Sequence, residues 1–328
     1  MTQLIVTRRA ALGALAGALS LGHQAIQAAE AWPTRTVRII VPFAPGGGSD
    51  MSARALAELL APQLGQSVIV ENRPGAGSAL GVNAAAQSKD RHTLLMGSNS
   101  MVINPSLNAQ IGYDVARDFD AIGMVSAQPL VLVVPASSPI KSLADLVAQA
   151  KAQPGKLTAG NSGNGTLAHI AAETLASDAG VDISPVPYRG ESALMPDLMA
   201  GLLTFGILNL PSVLPHIKSG RLRALAVTAP QGIADLPGVP TVRALNHPNL
   251  EVQGWAAMLA PKGAIPPEGL SKLEGLLNRA LASDAIKTRF TTLSVSPFIM
   301  TREATAKFLQ AEGARYAAVV KARGIKAE

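Results

Sequence analysis

The sequence predicts an α/β protein of two lobes, each a mostly parallel sheet flanked by helices. Three observations lead to this prediction. From Trp32 onward, short β-branched runs alternate with amphipathic stretches of helical spacing, a rhythm typical of βαβ units. A glycine loop follows such a run twice, as GGGSD at 46–50 and as SGNGT at 162–166. With 328 residues, the chain is long enough for two domains that each bury a core.

The segment before Trp32 is predicted to be an export signal, residues 1–31, and not part of the fold. Arg8 and Arg9 precede an uncharged stretch rich in Ala, Gly and Leu, which leads to a small-x-small sequence at 29–31. The paired arginines resemble a twin-arginine signal, but Ala11 stands where that signal usually has an aromatic residue. The twin-arginine and general secretory routes are therefore equal alternatives, and both predict a periplasmic protein.

The composition excludes several classes of function. The chain has no cysteine, which rules out thiol catalysis and cysteine-ligated metals. Its basic residues are scattered and aromatic residues make up 3%, which does not favour nucleic-acid binding. No pair among the five histidines has metal-ligand spacing. We therefore expect no metal, no cofactor and no nucleic acid.

In the first lobe, strands and helices are expected to alternate. Leu56, Leu59, Leu60 and Leu64 share one face of the helix after GGGSD. PGAGSALG at 74–81 is interpreted as a turn, because its G-x-G-x-x-x-G spacing departs from the dinucleotide-binding fingerprint. The predicted elements are a strand at 37–43, a helix to about residue 64, a strand at 67–71, a helix to about residue 87 and a strand at 93–96.

The second lobe shows the same alternation. Ser142 is placed to cap its first helix, and residues 230–250, rich in Pro and Gly, are interpreted as a connection. The predicted elements are strands at 130–134, 156–160, 184–188, 203–208 and 222–228, and helices from Ser142 and at 166–178, 191–200 and 211–219.

The C-terminal part is expected to return to the first lobe. A strand at 252–259 is followed by helices at about 267–282 and 302–323, and the first sheet otherwise has too few helices to cover it. We therefore predict that lobe 1 comprises 32–130 and 254–328 and that lobe 2 comprises 131–253. The crossovers are expected near 128–132 and 250–255.

The two glycine loops are candidate anion sites. A strand, a glycine loop and a helix start together present backbone N–H groups and the positive end of the helix dipole. No Lys accompanies Ser49, as a nucleotide-phosphate loop would require, so a smaller anion is favoured. Asp50 either lines this site or caps its helix. Ser98 and Asn99 follow the third strand, at the sheet edge that borders the crevice, where an ordinary loop is the alternative.

The sequence contains no convincing catalytic set. Ser162 lacks the G-x-S-x-G context of a nucleophile elbow. His169 has Glu173 four residues further on, which is usual for a pair on a helix surface, so ligand contact and a structural role both remain open. We therefore expect no catalytic residues.

Several segments together resemble a known family. They are VRIIVPFAPGGGSDMSARALAELL, VIVENRPGAGSALG, GNSGNGTLAHIAAE, VPYRGESALMPDLMAG, LPHIKSGRLRALAVT, LPGVPT and GWAAMLAP, in this order. The chain resembles, over essentially all of 32–328, the substrate-binding proteins of tripartite tricarboxylate transporters, the Bug/TctC family. The resemblance implies a two-lobed periplasmic binding protein with two hinge crossovers.

In that family, a ligand carboxylate is held between one loop from each lobe, often through ordered water. Here the matching loops are Ala44–Asp50 and Ser162–Thr166. The chain departs from the family where F-D-N-L-P-S is common, because Leu208 takes the acidic position before Asn209. The loss of that acid argues against an amino acid as the ligand and predicts a ligand with a less polar distal part. Asn209 remains a candidate hydrogen-bond partner, and Arg189, after Tyr188, is either a second contact or a brace for its loop.

The predicted function is capture of a small carboxylate by lobe closure, followed by delivery to the small and large membrane subunits of a transporter. The alternatives are a periplasmic enzyme acting on a carboxylic acid and a ligand-sensing subunit of a signalling system. We expect a monomer. The candidate ligand-binding residues are Phe43, Ala44, Gly46, Gly47, Gly48, Ser49, Asp50, Ser98, Asn99, Ser162, Gly163, Asn164, Gly165, Thr166, His169, Tyr188, Arg189 and Asn209.

Overall fold

The computed structural model describes residues 32–326, and the predicted export signal at 1–31 lies outside the described residues. Within residues 32–326, none of the helices combines the length and the apolar character that a membrane span requires. The strands are β1 (Val37–Val41), β2 (Val68–Asn72), β3 (Thr93–Ser98), β4 (Phe119–Pro135), β5 (Thr158–Asn161), β6 (Ser184–Pro187), β7 (Phe205–Asn209), β8 (Leu222–Val227), β9 (Gln253–Pro261) and β10 (Ser296–Pro297).

Helices separate most of these strands, as the alternating pattern predicts. Short 3-10 turns at Ala76–Ser78 and Pro248–Leu250 complete the regular structure of residues 32–326. The helices are α1 (Gly48–Leu64), α2 (Ala79–Ala86), α3 (Asn99–Leu107), α4 (Val115–Asp118), α5 (Leu143–Ala152), α6 (Leu167–Ala179), α7 (Glu191–Met199), α8 (Leu210–Lys218), α9 (Pro267–Ala282), α10 (Asp284–Thr292) and α11 (Arg302–Arg323).

One long strand, β4, belongs to two sheets. Its residues 119–129 pair with β9, and its residues 130–135 pair with β7 and β8. The strand order across both sheets is β2-β1-β3-β9-β4-β7-β5-β6, with β10 and β8 also paired to β4. We call the part built on β1, β2, β3, β9 and the first half of β4 the first lobe. The part built on β5 to β8 and the rest of β4 is the second lobe.

The predicted class, a two-lobed α/β protein, is confirmed, and its sheets are mixed. The pairs β1–β2, β1–β3, β5–β6 and β5–β7 are parallel. The pairs that involve β4 are antiparallel, and so is β3–β9. For β9 the reason is that β4 leads the chain from the first lobe to the second, and β9 follows the return beside it in the opposite direction.

The C-terminal helices cover the first sheet on both faces. Alternate residues of β1 point to opposite faces, as in any strand. Ile39 packs in a core with α1, α9 and α10, whereas Ile40 packs in a core with α2, α3 and α11. The expected return of the C-terminus to the first sheet is therefore seen, while the lobe boundaries themselves remain a prediction.

The connections between the sheets meet at Thr228. Its backbone N–H donates to the carbonyl of Leu130 at 2.9 Å, and its hydroxyl accepts from the Leu130 N–H at 2.9 Å. The same hydroxyl donates to the carbonyl of Val252 at 2.7 Å. Thr228 is buried. One residue thus ties the chain that leaves β8 to β4 and to the segment that leads into β9.

Candidate functional site

A small cavity of about 60 Å³ lies between the lobes, where the strands of both sheets end. Its walls include the first turns of α1, α3, α6 and α7 and the N-cap residue of α8 within the described residues. These helices follow β1, β3, β5, β6 and β7 directly or after a short loop. Because β1 and β3 run parallel, as do β5, β6 and β7, their helices all begin at the edge that faces the cleft. The positive ends of several helix dipoles therefore converge on one small space.

The GGGSD loop presents unbonded amides at the start of α1. Gly47 is the N-cap, with φ −82° and ψ 167°, and no side chain caps this helix. The first backbone bond of the helix runs from the Met51 N–H to the Gly47 carbonyl at 3.0 Å. The N–H groups of Gly48, Ser49 and Asp50 therefore have no acceptor within the helix. They are available to an anion in the cavity.

Asp50 lies in the cavity wall and holds this loop in shape. Its carboxylate accepts from the Gly46 N–H at 3.0 Å, the Arg54 Nε at 3.0 Å and the Asn72 Nδ2 at 2.9 Å. Burial alone would raise the pKa of Asp50, but these hydrogen bonds and the Arg54 charge hold it below its usual value. Asp50 thus lines the cavity and positions the loop, and it does not cap the helix. The Gly46 amide is occupied by this bond, and Gly46 lies outside the cavity walls.

The SGNGT loop presents a second set of amides at the start of α6. The first backbone bond there runs from the Ile170 N–H to the Thr166 carbonyl at 3.1 Å. The Thr166 hydroxyl donates to the Gly163 carbonyl at 2.7 Å, which leaves the helix without a side-chain cap. Ser162 and Thr166 line the cavity together with Leu167 and Ala168.

The middle of the same loop faces the first lobe instead of the cavity. A Cβ built on Gly163 would lie 2.9 Å from the Cα of Gly77, and one on Gly165 would lie 1.7 Å from Oδ1 of Asn104. Gly163 and Asn164 line a different hollow, of about 390 Å³. The expectation that Gly163, Asn164 and Gly165 contact the ligand is therefore not supported, because these residues are occupied by the contact between the lobes.

His169 stabilises the SGNGT loop by a hydrogen bond to its backbone. Its ring is buried, and its Nδ1 accepts from the Gly165 N–H at 3.3 Å, while its Nε2 lies 3.9 Å from a carboxylate oxygen of Glu173. His169 does not line the cavity. Of the two alternatives for this residue, the geometry favours the structural one.

Tyr188 and Arg189 lie on the far side of the SGNGT loop. The Tyr188 hydroxyl donates to Asp197 at 2.5 Å, which raises the pKa of Tyr188 to about 12. The carbonyl of Arg189 accepts from the Ala44 N–H at 3.3 Å. Both residues line the hollow that Gly163 and Asn164 share, not the cavity. The bracing alternative for Arg189 thus fits the structure, since its backbone joins the lobes.

The remaining predicted residues line the cavity at the starts of α3 and α8. The Asn99 side chain is held by β9, because its Oδ1 accepts from the Trp255 N–H at 2.9 Å. Asn209 is the N-cap of α8. Its N–H and its Nδ2 both donate to Oε1 of Glu191, at 2.9 and 2.8 Å, and its Oδ1 accepts from Nε2 of Gln128 at 3.3 Å.

The structure thus separates the predicted residues into two groups. Those that line the cavity are Phe43, Ala44, Gly47, Gly48, Ser49, Asp50, Ser98, Asn99, Ser162, Thr166 and Asn209. Those that lie outside its walls are Gly46, Gly163, Asn164, Gly165, His169, Tyr188 and Arg189. The sequence reasoning missed Ser100, Gln128, Leu167, Ala168, Glu191, Gly254 and Trp255.

The charge of the cavity is unusual for an anion site. None of the described residues that line it is Lys, Arg or His, and its ionisable groups are Asp50 and Glu191. Burial raises the pKa of Glu191, and the hydrogen bonds from Asn209 offset this effect only in part. Within residues 32–326, no cluster of three or more His, Cys, Asp or Glu side chains could hold a metal ion. Any positive potential in the cavity therefore comes from helix starts and amides.

The lobes are closed on each other. The Ser192 hydroxyl of the second lobe donates to the Pro45 carbonyl of the first at 2.9 Å, beside the bond between Ala44 and Arg189. Gly190 also approaches Ala44, so that a Cβ on Gly190 would lie 3.2 Å from its nitrogen. Small residues thus allow backbone-to-backbone contact around the cavity mouth.

Comparison with known proteins decides the family. Residues 52–325 match the family described as the tripartite tricarboxylate transporter family receptor, TctC. The chain belongs to this family. Protein BugT of Bordetella pertussis is 38% identical over 308 residues, which cover 93% of this chain and 94% of BugT.

Solved structures similar to this TctC protein agree with its fold. The periplasmic binding protein BugD is 29% identical with a TM-score of 0.85, and the match covers 90% of this chain and 99% of BugD. Rpa4515 of R. palustris, solved with adipate, is 32% identical with a TM-score of 0.85, over 90% of this chain and 99% of that one. The TctC protein described here is accordingly a periplasmic binding protein and not an enzyme.

Proposed function

We propose that this TctC protein captures a small carboxylate in the cavity between its lobes and delivers it to the membrane subunits of a transporter. The observation that carries the proposal is the convergence of the first turns of α1, α3, α6 and α7 and the N-cap of α8 on a cavity without a basic side chain among its described lining residues. Converging helix starts stabilise an anion through unbonded N–H groups and through their dipoles. The carboxylate of the adipate in Rpa4515 is an anion of this kind.

The amides of α1 and α6 are the proposed carboxylate donors, directly or through ordered water. A charge-assisted hydrogen bond contributes about 1.5–3 kcal/mol. Three or four such bonds give about 8 kcal/mol, which corresponds to micromolar affinity. The cavity of 60 Å³ has room for a small polar group together with a few waters, since one water needs about 10–15 Å³ of such space.

Closure couples binding to delivery. The donors of α1 belong to the first lobe and those of α6 to the second, so a ligand that bonds to both stabilises the closed form. We propose that the closed monomer is what the small and large membrane subunits recognise. A sensing role would use the same site with another partner, and capture of membrane subunits by the tagged protein would separate the two roles.

The amide of Gly48 offers a sharp test of this site. Gly48 is the first residue of α1, where proline fits a helix, and Gly47 before it has the extended conformation that proline requires. G48P therefore removes one N–H while the helix is kept. G48A is the matched control, because its Cβ would have ordinary contacts of 3.7 Å or more and the N–H remains.

A thermal-shift panel of mono- and dicarboxylic acids identifies the strongest ligand, and calorimetry then compares the variants. We expect G48P to bind it at least about tenfold more weakly and G48A to bind it like the wild type. Equal affinity in all three proteins, or no binding by any acid of the panel, would overturn the proposed function.

A further inference from the structure

Glu191 is a buried acid in the wall of the ligand cavity. It is the first residue of α7, it is 7% exposed, and it lines the cavity from the second lobe. In the described part of the chain, Glu191 forms no ion pair with a basic side chain. A buried carboxylate without a cation is costly, and a ligand carboxylate in the same small space would add a second negative charge.

The hydrogen bonds of Glu191 arrange it as an acceptor. Asn209 donates both of its bonds to the same oxygen, Oε1, and neither bond uses Oε2. The Ser212 hydroxyl also lies close to the carboxyl group. Burial raises the pKa of Glu191, and its hydrogen bonds and its place in the first turn of a helix counteract this only in part. When Glu191 ionises, no basic side chain among the described residues pairs with it, so a bound cation favours the ionised form.

Gln128 contributes a second acceptor to the same wall. Because Asn209 presents its Nδ2 to Glu191, its Oδ1 must accept, so the Nε2 of Gln128 donates to it. This network orients the Gln128 amide and leaves its Oε1 without a hydrogen-bond partner. Gln128 is 5% exposed and lines the cavity. An unpaired buried acceptor indicates that a bound donor is expected there.

The cavity therefore combines two opposite requirements. The starts of α1 and α6 offer donors for an anion, while Glu191 and Gln128 offer acceptors that need a donor, preferably a cation. Leu208, at the position where the family commonly has an acid, is fully buried in the core of the second lobe with Val131 and Val133. The acid in this chain comes from α7 instead. The sequence argument from Leu208 predicts a less polar ligand and no amino acid, whereas Glu191 places an acid in the cavity wall and favours the opposite.

We propose that Glu191 selects a ligand that carries an ammonium group beside its carboxylate, so that this protein binds an amino acid in preference to a dicarboxylate or a hydroxy acid. The inference rests on the proposed carboxylate site. The ammonium donates to Glu191 and to Oε1 of Gln128, and it neutralises the charge that burial otherwise disfavours. A dianion would instead bring a further negative charge next to Glu191.

The test compares ligands that differ only at one group. The probes are the amino acids, their 2-hydroxy acid counterparts and the corresponding deaminated acids, together with succinate, malate and adipate. Thermal shift ranks them on the wild-type protein, and calorimetry measures the dissociation constants of the best amino acid and its two counterparts. We expect the amino acid to bind at least about tenfold more tightly than either counterpart and than any dicarboxylate.

The variant E191Q then tests whether the Glu191 carboxylate causes the preference for the amino acid. Its Oε1 can still accept both Asn209 bonds, whereas its Nε2 places a donor where an acceptor was. We expect the preference for the amino acid to fall below about threefold in E191Q, while the affinity for dicarboxylates rises. D284N, which removes a fully exposed carboxylate, is the matched control and should keep the wild-type preference.

The outcomes separate this inference from the proposed function. If a dicarboxylate or hydroxy acid binds the wild type as tightly as the amino acid, and G48P weakens it, the carboxylate site stands and the role of Glu191 is refuted. If E191Q keeps the full preference, the role of Glu191 is refuted as well. If no acid of any class binds, the proposed carboxylate site and the role of Glu191 are both refuted.

Discussion

The backbones of Gly77 and Gly163 meet across the gap between the lobes. A Cβ on Gly163 would lie 2.9 Å from the Cα of Gly77, and a Cβ on Gly77 would lie 1.8 Å from the carbonyl oxygen of Asn164. Carbon and oxygen atoms cannot approach so closely, so a side chain at Gly77 is compatible only with lobes that stay apart. The closed state of this protein thus depends on glycine at a position outside the ligand cavity.

The first prediction follows from this contact. G77A should hinder closure, so that the ligand bridges the lobes poorly and binds at least about tenfold more weakly. Solution scattering should show that the radius of gyration of G77A no longer falls when ligand is added. G65A is the control, because Gly65 has a similar φ of +69° against +57° at Gly77, yet a Cβ there has nothing within 4 Å. Ligand-induced compaction of G77A equal to that of the wild type would contradict the role assigned to this glycine.

The local part of the site could be predicted from the sequence. The starts of α1 and α6 are predicted by a β-branched apolar segment, a glycine loop and an amphipathic segment in succession. These signals are readable because each depends on a few neighbouring residues. Gly47, Gly48 and Thr166 accordingly line the cavity as expected. The helix α3 was missed, because its segment Asn99–Leu107 is short, contains Pro105 and has no clear apolar face.

The long-range part of the site could not be predicted in this way. Gln128 and Trp255 reach the cavity through the antiparallel pairing of β4 with β9, which joins residues more than a hundred positions apart. Glu191 begins an ordinary helix in the sequence, and only its burial against Asn209 distinguishes it from a solvated residue. Likewise, nothing local separates Ser162, which faces the cavity, from Gly163, which faces the other lobe. These choices depend on how the lobes close, not on short-range patterns.

The second prediction concerns the crossover residue Thr228. T228V keeps the shape of the side chain but removes the hydroxyl that accepts from Leu130 and donates to Val252. Because the Leu130 N–H is buried, the variant leaves it unpaired, and we expect the free energy of unfolding to fall by about 1–3 kcal/mol. Urea denaturation followed by circular dichroism measures this loss. T228S retains the hydroxyl and should lose clearly less; a T228V protein as stable as T228S would show that the hydrogen bonds contribute nothing net.

The third prediction concerns the pH dependence that Glu191 produces in the ligand-free protein. Burial raises the pKa of Glu191 above its ordinary value of 4.5, so the folded protein holds this proton more tightly than the unfolded chain. Stability from the protonated group is therefore complete below pH 4.5 and is lost as the pH rises through the folded pKa. E191Q should consequently gain melting temperature relative to the wild type at pH 8, and this gain should shrink at pH 4. If the melting-temperature difference between E191Q and the wild type were the same at pH 4 and pH 8, the folding of the protein would not change the pKa of Glu191.

The fourth prediction has the opposite sign, because Asp50 is held in its ionised form. Its hydrogen bonds with Arg54, the Gly46 amide and Asn72 outweigh burial and keep its pKa below the ordinary 3.8. The stability that ionised Asp50 contributes is therefore present above pH 3.8 and is lost as the pH falls through the lower folded pKa. D50N should reduce the free energy of unfolding by about 1–3 kcal/mol at pH 7, since its amide presents N–H groups to Arg54 and Asn72, which are themselves donors.

The measurement for Asp50 is urea denaturation of D50N and the wild type at pH 7 and at pH 3, with D284N as the control for loss of an exposed carboxylate. The difference between D50N and the wild type should become smaller at pH 3, because below pH 3.8 the unfolded wild-type chain binds a proton at Asp50 that the folded protein holds less tightly. D284N should match the wild type at pH 7. If D50N were as stable as D284N at pH 7, the network around Asp50 would not hold the GGGSD loop, and the orientation of the Gly48 amide would have to come from the backbone alone.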